Sequence, residues 1–294
     1  MSFRSLLFVP GDAPRKVRKA LGSDADCVIL DLEDAVAPAA KSEARREALQ
    51  ALRGNRTRPV AVRINGPQTQ WYLEDLVVIV PAAPDYIMLP KCKNKQDLAV
   101  LDHQLTVLEY EHDRSAGSIR VMPLVTESAG AMAALDYTAS SPRLAALCFA
   151  AEDLASDLGI AARGADGQLC PALCYARTSM MLAAAAAGVP AFDTPYPDPR
   201  DGAGLRVESD AALALGLAGK LCIHPDQIAT VNASFQPDDA TVRWADVVIA
   251  TFEANPTAGV VLVGGKMVDK AHLRRAERLR RLGRRGTGST DEGS

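Results

Sequence analysis

The sequence predicts an α/β protein: a (β/α)8 (TIM) barrel with a helical C-terminal extension. Three observations carry this reading. Eight short apolar runs, rich in Leu or β-branched residues, recur at 6–10, 27–32, 60–64, 86–90, 121–126, 144–150, 189–194 and 221–225. Helical patterns separate most of them, as parallel strands with crossover helices require. The alternative, an open doubly wound sheet, is weakened because no GxGxxG loop succeeds the first run.

The run at 6–10 ends in Pro10-Gly11 and reads as a first strand rather than a signal peptide. Segment 38–53 places Ala44, Ala48 and Leu52 at helical spacing. Segment 94–111 puts Leu98, Leu101, Leu105 and Leu108 on one face, and 171–188 opens with Pro and closes with Gly. Beyond Pro225 the pattern changes. Segments 238–254 and 266–282 read as helices, with a short apolar run at 259–263 between them. The expected organisation is a catalytic barrel over 1–235, a helical extension over 236–282, and a disordered tail over 283–294. The extension would pack on the barrel mouth or on a neighbouring subunit. The Arg-rich stretch 274–285 suits a solvated helix C-terminus, and an anionic surface is the alternative.

Composition narrows the function. Of 294 residues 48% are hydrophobic, enough for a substantial core, and 23% are charged with a net charge of −3. That balance gives no reason to expect nucleic-acid binding. No apolar run reaches the roughly 18 residues of a membrane span. Six scattered cysteines without an export signal suggest a reducing cytoplasm. Cys170 and Cys174 form a CxxxC without a second pair, a poor zinc site. No Walker A loop is present: Gly265-Lys266 precedes Met267, and Gly219-Lys220 precedes Leu221.

The residues at the strand ends are more informative. The second run ends in Asp31-Leu32-Glu33-Asp34, the third carries Arg63 and Asn65, and the fourth ends in Lys91. Glu127, Glu152-Asp153, Asp193 and His224 close the remaining four. In a barrel these ends meet on one face, where active sites are built. Burying so many charges needs a compensating cation or substrate. The excess of acid favours a hard divalent cation such as Mg²⁺, held by one or two carboxylates. One strand-end imidazole, His224, cannot make a multi-His zinc site; before Pro225 it reads as structural or outer-sphere. The plain alternative is that some acids cap helices, Asp153 among them.

At these residues the chain resembles the citrate lyase β-subunit-like group of the HpcH/HpaI aldolase superfamily. The ordered stretches are RSLLFVPG at 4–11, VILDLEDAV at 28–36, VRIN at 62–65, LPK at 89–91, ESAG at 127–130, AEDLASDLG at 151–159, GKLCIHP at 219–225 and GKMVD at 265–269. The resemblance implies a (β/α)8 barrel, usually in trimers or dimers of trimers, with Mg²⁺ and an acyl-CoA thioester substrate. It implies Glu127 and Asp153 as metal ligands and Arg63 as the group binding a substrate oxygen. Glu33 and Asp34 match acids near the metal and its waters. Asp269 matches a catalytic aspartate that usually enters the site of an adjacent subunit, although an Asp at this position also suits a helix N-cap. Ala150 stands where glycine is common, and Ala271 where proline is frequent.

The implied reaction is reversible cleavage of a 3-hydroxy-3-carboxyacyl-CoA thioester into an acyl-CoA and a 2-oxo acid. Mg²⁺ and Arg63 would stabilise negative oxygen, and Asp269 would exchange a proton with the thioester α-carbon. The other readings are a thioesterase on the same site, a citrate lyase β-subunit working with partner subunits, and a non-enzymatic binding or scaffold barrel. Lys91 could hold an anionic substrate group or, in a rival mechanism, form a Schiff base. Arg15, Lys16 and Lys19 could meet the phosphates of CoA.

Overall fold

A computed structural model describes residues 3–283 and divides them into two compact units that meet in sequence after Asn232. The tail expected beyond residue 283 lies outside the described residues. The first unit runs β1 (Ser5–Pro10), α1 (Pro14–Leu21), β2 (Cys27–Asp31), α2 (Lys41–Arg53), β3 (Val60–Arg63), α3 (Tyr72–Ile79), β4 (Tyr86–Leu89) and α4 (Lys95–Glu111). It continues with β5 (Arg120–Pro123), α5 (Ala129–Ala133), β6 (Leu147–Cys148), α6 (Ala151–Leu158), α7 (Pro171–Ala186), β7 (Ala191–Asp193), α8 (Gly202–Leu215), β8 (Gly219–Cys222) and α9 (Gln227–Ser234).

All strand pairs of this unit are parallel, in the order β5-β4-β3-β2-β1-β8-β7-β6. Parallel bridges Val121↔Leu144 and Leu124↔Cys148 join the two ends of that order. The sheet is therefore a barrel rather than an open doubly wound sheet. Gly219 makes one junction possible, because a Cβ there would sit 2.3 Å from the Arg4 carbonyl oxygen.

Strand parity decides what faces the barrel interior. Leu6, Cys27, Ile29, Ala61, Met88, Met122, Cys148, Phe192 and Leu221 form one buried cluster. Adding two residues carries the inward series from Ile29 to Asp31 and from Ala61 to Arg63, since alternate residues share a face. The neighbours of inward residues point the other way. Asp193 and Lys220, next to Phe192 and Leu221, meet Glu208 of α8: the Lys220 ammonium donates to Asp193 Oδ2 at 2.8 Å and Glu208 Oε1 at 2.6 Å. Asp193, expected among the mouth residues, thus belongs to an ion network between strands and helices. Arg163 also bonds Glu208, and Arg177 lies 3.7 Å from Asp193.

The helix faces match the predicted apolar positions. Ala44, Ala48 and Leu52 of α2 are buried, as are Leu98, Leu101 and Leu105 of α4. Near the end of α4, Leu108 is half-buried and the fully buried place goes to Glu109. The Arg143 guanidinium bonds its carboxylate.

The second unit corrects the reading of 266–282 as one helix. It holds α10 (Asp239–Ala254), a hairpin of β9 (Val260–Val263) and β10 (Lys266–Asp269), and α11 (Lys270–Gly283). Gly264 and Gly265 both have positive φ, 57° and 77°, as a tight two-residue hairpin turn requires. Val261 and Val268 pack with Ala245, Val248, Ile249 and Phe252 of α10. Val260, Leu262 and Met267 of the same hairpin are exposed.

The Lys220 network yields a stability test. Lys220 is fully buried, and its removal leaves Asp193 and Glu208 short of a counter-charge. Lys220→Met is expected to lower unfolding stability by about 3–5 kcal/mol in urea titrations at pH 7. Wild-type stability would mean that Arg163 and Arg177 compensate these acids unaided.

Candidate active site

The mouth is organised by two neighbouring strand ends. Asp31 and Arg63 are paired in register between β2 and β3. Their side chains lock bidentately: Arg63 Nε donates to Asp31 Oδ1 at 2.7 Å and Nη2 to Oδ2 at 2.7 Å. The guanidinium stacks over the Phe8 ring at 4.7 Å. Its Nη1 lies 3.1 Å from Glu33 Oε2.

The turn carrying Glu33 and Asp34 is held on both sides. Asp31 accepts from the amides of Glu33 and Ala35. Lys41 Nζ donates to the carbonyls of Leu32 and Glu33 at 2.7 and 2.8 Å. Asn65 Nδ2 donates to Leu32 O, and Asn65 is itself held by the buried carboxylate of Asp75.

Lys91 collects the acids. It has φ 54°, a left-handed conformation that is unfavourable for a side-chain-bearing residue and is often found at functional sites. Its backbone N–H donates to Glu127 Oε2. Its ammonium lies 2.9 Å from Glu127 Oε1, 2.6 Å from Asp153 Oδ1, 3.7 Å from Asp34 and 3.8 Å from Glu33. Burial opposes the charge on Lys91, but Glu127, Asp153 and Glu33 outweigh it and hold the ammonium above its ordinary pKa. Burial raises the Glu127 carboxyl against the pull of the Lys91 ammonium, and Asp153 adds to the rise. Burial pushes Glu33 up to about 7; Asp34 and Glu127 push the same way, while Arg63 and Lys91 oppose.

Asp153 does not cap its helix. It lies in the first turn of α6, whose N-cap is Ala150 with no side-chain hydrogen bond. Thr126 and Thr194 instead receive the N–H groups of Ala150 and Ala151. This helix start opens on a cleft of about 250 Å³ lined by Phe8, Arg63, Leu124, Phe149, Asp153 and Thr194, among others.

These residues suit a magnesium ion. Among the described residues no group of three or more His, Cys, Asp or Glu side chains is placed to hold a metal ion. Mg²⁺ needs no such group, since it commonly takes one or two carboxylates and keeps waters. The ammonium bridging Glu127 and Asp153 marks where positive charge is favoured between them.

A second cleft, of about 380 Å³, is lined by Lys16 and Lys19 of α1 with Phe8, Pro10, His224 and Pro225. Arg15, expected to touch substrate phosphates, is exposed and absent from this lining. His224 Nδ1 accepts from the Asp226 amide, a local turn contact. All six cysteines are free.

Asp269 closes β10 in the second unit. Its Oδ1 accepts from the amides of Ala271 and His272 and lies 2.7 Å from His272 Nδ1. It therefore caps α11, and the His272 contact holds its carboxyl below the usual range. Sequence reading counted Asp31 among the strand-end charges but missed its pairing with Arg63, and it missed Lys41 altogether. For Asp31 the signal was available: runs 27–32 and 60–64, aligned as adjacent parallel strands, put it beside Arg63.

The family model for HpcH/HpaI aldolase/citrate lyase matches residues 4–225. The citrate lyase subunit beta of Leuconostoc mesenteroides subsp. cremoris is 36% identical, covering 95% of this chain and 92% of its own. The L-malyl-CoA/beta-methylmalyl-CoA lyase of Rhodobacter capsulatus is 32% identical, covering 93% and 92%. The crystal structure of protein CitE from Mycobacterium tuberculosis in complex with magnesium, acetoacetate and coenzyme A superposes with a TM-score of 0.77. It is 30% identical and covers 96% of this chain and 98% of its own.

The Glu33 environment sets a pH dependence. Its folded pKa, about 7, exceeds its ordinary 4.5, so the folded state binds the proton more tightly. Raising pH through that window therefore costs stability. In EDTA, the Tm of Glu33→Gln is expected to gain on wild type between pH 4.5 and 7 and then level off. An offset independent of pH would contradict this placement of the charge.

Proposed function

The chain belongs to the HpcH/HpaI aldolase/citrate lyase family, and on that premise we propose that it is a Mg²⁺-dependent carbon–carbon lyase. Its substrate would be a 3-hydroxy-3-carboxyacyl-CoA thioester, of malyl-CoA or citramalyl-CoA type, cleaved to or formed from an acyl-CoA and a 2-oxo acid. The observation that supports this best is the set of four carboxylates around one cation position, beside an arginine fixed in its plane. The magnesium and coenzyme A bound by the structural relative agree with it.

In this reading Glu127 and Asp153 hold the metal, with Glu33 and Asp34 facing its waters. When bound, the metal supplies Lewis acidity to the substrate oxygens that become the 2-oxo acid. Arg63 presents a guanidinium to oxygen that gains charge as the bond breaks. The hydroxyl proton would pass to Glu33 or Asp34, the acids facing the metal's waters, as the carbonyl forms, and the electron pair of the broken bond passes to the thioester as an enolate. Asp269 returns a proton to that α-carbon, or removes it in the reverse direction. Past the Ala150 and Ala151 amides, which Thr126 and Thr194 occupy, the N-terminal turn of α6 would face the substrate carboxylate. Lys16 and Lys19, rather than Arg15, face the cleft suited to CoA phosphates. Lys91 keeps a charge role, because an ammonium held among acids is a poor Schiff-base nucleophile.

The reading extends to a homo-oligomer in which a second copy supplies Asp269. The exposed Val260, Leu262 and Met267 beside it support a hairpin that docks on another chain. Among the described residues no helix is long and apolar enough to cross a membrane; with six free thiols, we place the protein in the cytoplasm.

A panel of hydroxyacyl-CoA thioesters, assayed with Mg²⁺ and then EDTA, tests the function. Expected is metal-dependent release of a 2-oxo acid and an acyl-CoA, with kcat reduced ~10²–10⁴-fold in Asp269→Asn. Free CoA without a 2-oxo acid would show a thioesterase. Inactivity on the whole panel would favour a β-subunit that works only with partner subunits, or a non-enzymatic barrel. Full activity of Asp269→Asn would remove it from the mechanism.

A further inference from the structure

Asp31 is a buried carboxylate, 1% exposed, that takes no part in the chemistry proposed above. It does not line the cleft that Arg63 lines. Both of its oxygens are nevertheless committed. Oδ1 accepts from Arg63 Nε at 2.7 Å and the Glu33 amide at 2.9 Å; Oδ2 accepts from Arg63 Nη2 at 2.7 Å and the Ala35 amide at 3.1 Å. An ionised carboxylate has about four acceptor sites, and these four bonds fill them.

We propose that Asp31 is the positioning residue of this site, a single carboxylate that sets the plane of Arg63 and the turn carrying Glu33 at the same time. Bidentate pairing fixes a guanidinium in orientation as well as distance. With Nε and Nη2 tied to Asp31 and the face stacked on Phe8, Arg63 has one edge left for the site. Nη1 on that edge already lies 3.1 Å from Glu33 Oε2. The two amide bonds tie the backbone of Glu33 and Ala35 to the same oxygens. Displacement of Asp31 would therefore move the arginine and the acid turn together.

A structural salt bridge would not need this placement. Buried ion pairs are often no more stabilising than apolar residues of similar volume. Lys41 offers an internal contrast: it grips the same turn through the carbonyls of Leu32 and Glu33 and makes no hydrogen bond to Arg63. Loss of Lys41 would disturb the turn alone, whereas loss of Asp31 would also free the arginine.

The kinetic arm of the test rests on the lyase reading; the spectroscopic arm does not. Asp31→Asn is expected to lower kcat/KM about 10²-fold, mainly in kcat. Introduced into Arg63→Ala, the same change is expected to cost only about tenfold, the part that comes through the Glu33 turn, because its effect through the arginine is already lost. Lys41→Met in Arg63→Ala should keep most of its own effect. Full additivity of Asp31→Asn with Arg63→Ala would overturn the proposal.

The second arm reads the wild-type protein as well as the variants, so failure of Asp31→Asn to fold still leaves the wild-type result. The Arg63 Nε–H resonance, assigned by its loss in Arg63→Lys, is expected to be protected from solvent exchange in the metal-free protein. In folded Asp31→Asn its exchange should accelerate roughly tenfold or more. An unprotected wild-type resonance, or one unchanged in Asp31→Asn, would overturn the proposal. Because this arm needs no turnover, it decides the proposal even if the thioester panel refutes the lyase reading.

Discussion

A cation among carboxylates is the constraint on which the mouth of this barrel depends. Glu33 and Asp34 follow β2, Glu127 follows β5 and Asp153 follows β6, and all four lie within 3.8 Å of the Lys91 ammonium. Such a cluster would repel itself in a partly buried setting without positive charge at its centre. Lys91 provides that charge from a left-handed backbone position. Arg63, which also touches Glu33, is already paired with Asp31, so the four acids outnumber the positive charge around them, and this excess of negative charge suits a divalent cation.

The same residue types do different work one strand position away. Asp31 and Arg63 continue the inward series of their strands and face the mouth. Asp193 and Lys220 sit at outward positions and join Glu208 in the layer between strands and helices. Side-chain alternation separates the mouth cluster from the one between strands and helices. The structural network braces β7 and β8 against α8, while the mouth stays open to a cleft lined by Phe8, Leu124 and Phe149.

Much of this was legible in the sequence, because parallel strands buried on both faces read as plain apolar runs and the charged residues stand at their ends. The exceptions have local causes. Glu109 took a buried place in α4 because Arg143 offered its carboxylate a partner. The helix expected from 266 became a hairpin strand because Gly264-Gly265 turns the chain back. Asp193 departs from the expected mouth position because a short strand leaves its parity ambiguous until Phe192 is seen to point inward. Asp153 resembles a cap in sequence, yet Thr126 and Thr194, both distant along the chain, bond the amides at the start of α6. Asp31 needed cross-strand register, which a single run does not contain. The family relation came from ordered short motifs; the site's geometry came from register.

On the proposed reading, the point now bridged by Lys91 is a divalent-cation site. Anomalous scattering from crystals soaked in Mn²⁺, a faithful substitute for Mg²⁺ at carboxylate sites, tests it most directly. One strong peak is expected in contact with the Glu127 and Asp153 carboxylates, with the Lys91 ammonium withdrawn from between them. A Lys91 ammonium still bridging both acids, with no peak beside them at saturating Mn²⁺, would contradict it.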